Sequence, residues 1–315
     1  MKTVYKALLV LSLPIVSAKA QKPDTAKLVV HYEFTHIRDT LNRDKPYTEN
    51  MELLVGPNAS QYKSYDRAVR SEQMRKQAME QINNNVGGPQ NFQLKGPGRP
   101  LTNVDYYYFL NEHKVFRKEQ LINYYIVEEP FESPQWNISP DTTTIAGLHC
   151  QKATTHFKGR DYEAWFCSEL PFHAGPWKLN GLPGLIVQAK DKSGTVAFKF
   201  TGMEEAKAAD KLQAAASAPP APDGIKIVIA GEQDNSIPAN VIELPEKGIK
   251  TTEKELVRLK DMMRKDPNAF LQASLTGSGL VNVRMANGAA PVVKINSSLA
   301  TPPVINNPLE LPERK

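Results

Sequence analysis

Residues 148–169 read LHCQKATTHFKGRDYEAWFCSE, two runs rich in β-branched and aromatic residues on either side of Lys158-Gly159. That pattern predicts a β-hairpin, 148–157 against 160–169, closed by a two-residue turn. Such a turn pairs positions whose numbers sum to 317, which sets Cys150 directly opposite Cys167. Opposed Cβ atoms in antiparallel strands lie ~4.5–5.5 Å apart, so a disulfide is within reach after slight adjustment. A three-residue turn would shift the register by one and break that pairing.

Working outward from the hairpin, residues 171–186, PFHAGPWKLNGLPGLI, are dense in reversals. Pro183-Gly184 is the pair a type II turn uses, with Gly accepting φ > 0, and Gly175-Pro176 and Asn180-Gly181 add two more turns. Trp177, Leu179, Leu182, Leu185 and Ile186 between them are expected to pack inward as a compact loop. Residues 185–190 and 195–201 then form a further hairpin around Asp191-Lys192-Ser193-Gly194. On the N-terminal side, 28–37 alternates with Val30, Tyr32 and Phe34 on one face. Strands are expected at 51–55, 61–65, 104–110, 114–117 and 121–128. Helical spacing over 66–85 places Met74, Ala78, Met79 and Ile82 together as an inserted helix. The expected fold is mainly β: an antiparallel curved sheet or open half-barrel with one inserted helix and a C-terminal helix.

The hexapeptide Gly181-Leu182-Pro183-Gly184-Leu185-Ile186, with residues 164–186 around it, resembles the signature of the GLPGLI family of exported bacterial proteins. The likeness takes in Glu128-Glu129-Pro130, Cys150-Gln151-Lys152-Ala153-Thr154, Arg160, Trp165 and Asn307-Pro308-Leu309-Glu310-Leu311. It implies a signal-bearing, β-rich envelope protein. The family has no established molecular activity, so the resemblance implies no catalytic residues.

Compartment follows from the first twenty residues, MKTVYKALLVLSLPIVSAKA. Lys2 and Lys6 form a basic start, residues 7–17 an apolar core, and Ala18-Lys19-Ala20 a small-x-small cleavage site, the marks of a secretory signal peptide. The apolar run is shorter than the ~20 residues needed to span a bilayer. The formal charge of +5 over 315 residues shrinks once these are removed, leaving 36 basic against 34 acidic side chains. That balance gives no basic patch for nucleic acid, and no later run is apolar enough to cross a membrane. The protein is expected in the periplasm or outside the cell, where an oxidising environment favours the Cys150–Cys167 bridge.

The chain divides into signal peptide 1–20, β-rich core 21–205, an Ala/Pro-rich helix and linker 206–224, and 225–315, a strand, helix and extended tail completing the same domain. Within 206–224, Pro219, Pro220 and Pro222 mark the linker, and residues 225–230 read as a strand. Thr252 with Glu255 makes a capping box for a helix bearing Leu256, Leu259 and Met263, which Pro267 ends.

Chemistry is harder to find. There is no G-x-S-x-G elbow, phosphate-binding loop, dinucleotide fingerprint or H-E-x-x-H, so no cofactor and no metal is expected. His149, Cys150, His156, Cys167 and His173 fall close in sequence but lack ligand spacing. Two functions compete. The first is an exported binding or accessory protein presenting Tyr106, Tyr108, Tyr124, Trp165 and Trp177 to an envelope protein, a peptide or an apolar small ligand. The second is a periplasmic hydrolase in which His149, His156, His173, Arg160 or Glu163 converge in a pocket.

Overall fold

The computed structural model describes residues 22–84, 99–207, 239–277 and 304–313. The signal peptide, the 225–230 strand and most of the 87–100 loop, the 206–224 linker and the proline-rich tail lie outside the described residues.

The described strands are β1 (Asp24–Thr25), β2 (Leu28–His36), β3 (Tyr47–Val55), β4 (Ala59–Ser64), β5 (Val104–Phe109), β6 (Lys114–Gln120) and β7 (Tyr124–Glu129). They continue with β8 (Asn137–Ile145), β9 (Leu148–Phe157), β10 (Arg160–Cys167), β11 (Leu185–Asp191), β12 (Val196–Glu205), β13 (Val241–Ile242) and β14 (Ile249–Thr251). Three helices accompany them: α1 (Tyr65–Asn84), α2 (Glu253–Lys265) and α3 (Pro267–Gly277). Twelve strands form one sheet in the order β14-β7-β6-β5-β4-β3-β2-β12-β11-β10-β9-β8, curved and unclosed. Two antiparallel meanders, β2–β7 and β8–β12, therefore meet where β12 pairs with β2. The expected mainly β class is what the structure shows.

Alternation produces the core. On β2, Val30, Tyr32 and Phe34 are buried while His31, Glu33 and Thr35 are half-buried on the other face. Val30, Tyr32 and Phe34 join Tyr62, Tyr162, Phe166, Phe198 and Trp177 in the main cluster, to which both meanders and the 171–186 loop contribute. A second cluster, around Leu54, Tyr107, Phe109, Phe116 and Ile126, packs on the opposite face of β3 to β7.

The 317 register holds from Arg160↔Phe157 to Phe166↔Gln151. Lys158 and Gly159 sit at φ 51° and 72°, as both central residues of a type I′ turn must. The ladder stops one pair short of the cysteines, where Cys167 pairs with Leu185 and Cys150 with Thr143. Both are free, buried thiols in this structure, not the expected bridge.

One local expectation is corrected. Pro183-Gly184 does not form a type II turn: the Gly184 N–H donates to the Leu182 carbonyl at 2.8 Å, a three-residue reversal centred on Pro183. Gly184 has φ 157°, a backbone region that L side chains rarely adopt, and it needs space as well. A Cβ there would lie 2.6 Å from the Cys167 carbonyl carbon and 2.9 Å from Ser168 Cα. The expected C-terminal helix is present as α2, and a further helix, α3, follows it. Thr252 caps α2 through the Glu255 N–H at 3.3 Å as expected, but Pro267 opens α3 as well as following α2. Leu256, fully buried, seats α2 on Tyr125 and Val127, and β14 lies parallel to β7.

Candidate functional site

Strand pairing brings three of the five expected ligand-facing aromatics together. Tyr106 and Tyr108 point to one face of β5, opposite Arg117 and Val115, and Val115 in turn faces Glu129 at the end of β7. The 171–186 loop lowers Trp177 and Lys178 onto this face. Trp177 is held at φ 55°, a left-handed conformation rare for a bulky residue. It is buried, nearly parallel to Phe198 at 6.5 Å and 6.2 Å from the Tyr162 ring.

Lys178 is the charge at the centre. It is 8% exposed, its Nζ lies 2.6 Å from Glu129 and 2.8 Å from Glu310, and it sits 5.3 Å from the centre of the Tyr106 ring. Arg117 Nε meets the same Glu129 at 2.8 Å. Two cations around one carboxylate keep a largely buried cluster paired. Burial, with acidic neighbours Glu129 and Glu310, pushes the phenols of Tyr106 and Tyr108 well above their ordinary value, so both remain protonated donors at neutral pH. A cavity of about 20 Å³ lies among Tyr108, Val115, Glu129, Phe157, Lys158 and Lys178, room for about one water. The crossing 130–136 closes one side: Trp136 Nε1 donates to the Asn180 carbonyl at 2.8 Å, and Ser133 Oγ to Asn180 Oδ1 at 2.7 Å.

The other two aromatics lie elsewhere. Trp165 alternates to the opposite side of β10 from Tyr162 and Phe166, with Lys152 6.0 Å from its ring. Tyr124 lies beneath Lys118, whose Nζ is 4.9 Å from its ring, in a separate polar cluster. There Asp105, fully buried, takes Lys118 at 2.6 Å and Arg67 of α1. Burial would raise its carboxyl, but Arg67 and Lys118 outweigh burial and hold it down to about 2. This cluster fastens α1 to the sheet. Within the hexapeptide, Leu182, Leu185 and Ile186 are core residues and Gly181 adopts φ 88°, while the loop's turn falls at Trp177-Lys178 and not at the expected Asn180-Gly181.

The residues proposed for hydrolysis do not converge. His156 is exposed between Asp161 at 2.6 Å and Glu313 at 2.9 Å. Glu163 pairs with Lys152 and Lys190, and His173 Nδ1 faces the Leu182 carbonyl at 2.9 Å. His149 lines a depression of about 370 Å³ at the β8 edge with Cys150, Thr142 to Thr144, Gln151 and Ser168. Arg160 is buried against Asp191 at 2.8 Å. Among the described residues no three His, Cys, Asp or Glu side chains cluster as metal ligands, and no helix is long and apolar enough to cross a membrane.

Sequence reasoning missed His36 and Asp191. His36 is 4% exposed and its Nε2 faces the Asn307 carbonyl at 2.8 Å. Asp191, seen only as a turn residue, accepts from the Thr195 and Val196 N–H groups at 2.7 and 2.8 Å and from Arg160. The one available signal was an acidic residue opening an Asp-Lys-Ser-Gly-Thr turn, a setting that favours side-chain to backbone bonds.

No family model and no curated protein matches the chain. It is similar to two solved structures of PNGF-II, in P21 and C2 space groups, with 14% and 15% identity and TM-scores of 0.39 and 0.37. The matches cover 59% and 60% of this chain and 29% of each of those chains. The chain thus spans less than a third of their length, and a likeness this slight carries no inference about fold or activity.

Proposed function

We propose that the chain is an exported binding or accessory protein of the bacterial envelope and a member of the GLPGLI family, and that it binds through the Tyr106, Tyr108 and Lys178 platform. The observation that supports this most is the state of Lys178. A largely buried ammonium between two carboxylates, over a tyrosine ring, is a fixed charge suited to recognising a group, and both carboxylates are tied up in pairing with it. The cavity beside it has room for only about one water, so the partner is held at the surface and not swallowed, which favours a peptide or protein over an enclosed small ligand.

The test is site-specific photo-crosslinking in the producing bacterium. A crosslinker at Lys158, at the platform's rim, is expected to trap a discrete partner in the envelope fraction, whereas one at Lys192, in the β11–β12 turn, traps none. N-terminal sequencing of the same material is expected to begin at Gln21. Equal labelling from both sites, or none from Lys158, would overturn the binding reading, and a retained Met1 would overturn export.

A further inference from the structure

Residues 304–313 cross the β9–β10 turn as a strap bent at 306–307 and 309–310, lying in a groove that the rest of the chain builds. We propose that this groove is a recognition site for a peptide with glutamates at two set positions, that the strap occupies it in cis, and that it accepts a segment of the same Asn-Pro-Leu-Glu kind in trans.

The groove reads main chain and side chain alike. The Asn306 and Asn307 N–H groups both donate to the Arg38 carbonyl at 3.0 Å, and the Leu311 N–H donates to the Lys158 carbonyl at 3.0 Å. Asn307 is held on both sides of its amide: its Nδ2 donates to the Ile37 carbonyl at 2.8 Å and its Oδ1 accepts from Arg160 at 2.7 Å. Pro308 has no N–H to satisfy. Leu309 packs against the main core. The two acidic positions meet donors, Glu310 at Lys178 and Glu313 at His156 and the Gly159 N–H, the last at 3.1 Å.

Arg160 shows that the body is built to receive this segment. Its guanidinium is 3% exposed and commits all five N–H donors. Two go inward, to Asp191 at 2.8 Å and Thr195 at 2.9 Å. Three go to the strap: Asn307 Oδ1 and the Pro308 carbonyl at 2.7 Å and the Leu309 carbonyl at 2.8 Å. The inward half is fixed without the strap, since Asp191 is itself held by the Thr195 and Val196 N–H groups. An empty groove would therefore present three aimed, unsatisfied donors, and any segment offering carbonyls at that spacing would meet them.

A tethered strap competes with a free peptide at an effective concentration on the order of millimolar. Wild-type protein should therefore bind the peptide weakly, and loosening the strap should unmask the site. This deepens the binding reading and rests on it only in treating the chain as a binder. Peptide binding without an envelope crosslink would leave the groove standing and remove the partner claim.

The experiment uses the full chain and a fluorescent synthetic peptide of residues 304–315 as probe, followed by anisotropy. Asn307→Ala with Leu309→Ala in the chain weakens the strap while leaving the groove whole, and is expected to tighten probe binding by roughly tenfold or more over wild type. Adding Gly159→Asn, whose Cβ would lie 2.5 Å from the Leu311 carbonyl oxygen and 2.7 Å from Leu311 Cβ, is expected to abolish it. Asn is chosen because it tolerates the left-handed backbone there. Circular dichroism confirms that each variant is folded. A folded strap variant that binds no tighter than wild type, or binding that survives Gly159→Asn, would overturn the proposal.

Discussion

Replacing Gly184 by alanine tests how the 171–186 loop is seated on the sheet. The new methyl would stand 2.6 Å from the Cys167 carbonyl carbon and 2.9 Å from Ser168 Cα, and nearer still to the Cys167 oxygen. Carbon contacts are optimal at ~3.5–4.0 Å, so one backbone segment must retreat by about 1 Å. Neither is free to do so. On one side Leu185 and Ile186 donate to Leu170 and Ala174 carbonyls at 2.9 and 3.0 Å; on the other Cys167 is laddered to Leu185. Overpacking against fixed neighbours costs ~1–3 kcal/mol, and a backbone obstacle on both sides places Gly184→Ala at the upper end. Urea denaturation should show a lower midpoint at unchanged slope. Asn meets the same two obstacles as Ala, since φ 157° lies far from the left-handed turn region that Asn tolerates and the Cys167 carbonyl excludes any Cβ. Gly184→Asn should lose at least as much as Gly184→Ala. An Asn variant within ~0.5 kcal/mol of wild type would refute the close-approach explanation.

Three further outcomes are expected. Burial, with Arg38 and Arg160 nearby, pushes His36 down to about 4 against the opposing pull of Asn307 and Asp191, so the native state binds fewer protons than the unfolded one between pH 4 and 6.5. Stability is full above pH 6.5 and falls by at most ~3 kcal/mol as pH drops toward 4; His36→Gln should flatten that slope in urea titrations, and an identical slope would show that His36 is not its source. His156, raised by its bonds to Asp161 and Glu313, acts oppositely, its contribution present below pH 6.5 and lost as pH climbs through the raised value. Asp191→Ala strands the buried Arg160 guanidinium and should cost ~3–5 kcal/mol in the same assay, a loss under ~1 kcal/mol counting against a paired charge. Finally, protein recovered after export and unfolded without reductant should contain no free thiol. The ladder ends at Phe166↔Gln151, and continuing its register by one pair would set 150 opposite 167, within reach of a bridge. Two alkylated cysteines would refute that bridge.

Much of the fold was legible because one-sided burial writes itself as period two. Val30, Tyr32 and Phe34 declare their face without help, and Lys158-Gly159 declares the hairpin register, since the two-residue turns that match the strand twist, types I′ and II′, set the same pairing. The Pro183-Gly184 turn misled for a definite reason. Pro-Gly is preferred in type II turns for local causes, but Gly184 is glycine because a strand 17 residues earlier passes too close for a side chain. No local pattern contains that approach.

The site was half legible for the same reason. Alternation tells that Tyr106 and Tyr108 share a face, but not that Tyr124, four strand positions past Gln120 in sequence, pairs with Gln120 and so turns away toward Lys118. The groove was the least legible part, although its pieces, Arg160 and Asn307 to Leu311, were each conspicuous. They lie about 150 residues apart, and what joins them is the fivefold donor demand of one buried guanidinium. An arginine inside a hairpin that pairs only two donors with its own sheet leaves three to be answered from elsewhere in the chain. Burial makes that answer obligatory, because each unmet donor would cost ~1–3 kcal/mol. The strap is thus a consequence of Arg160 being buried, and any segment that replaces it must meet the same three donors.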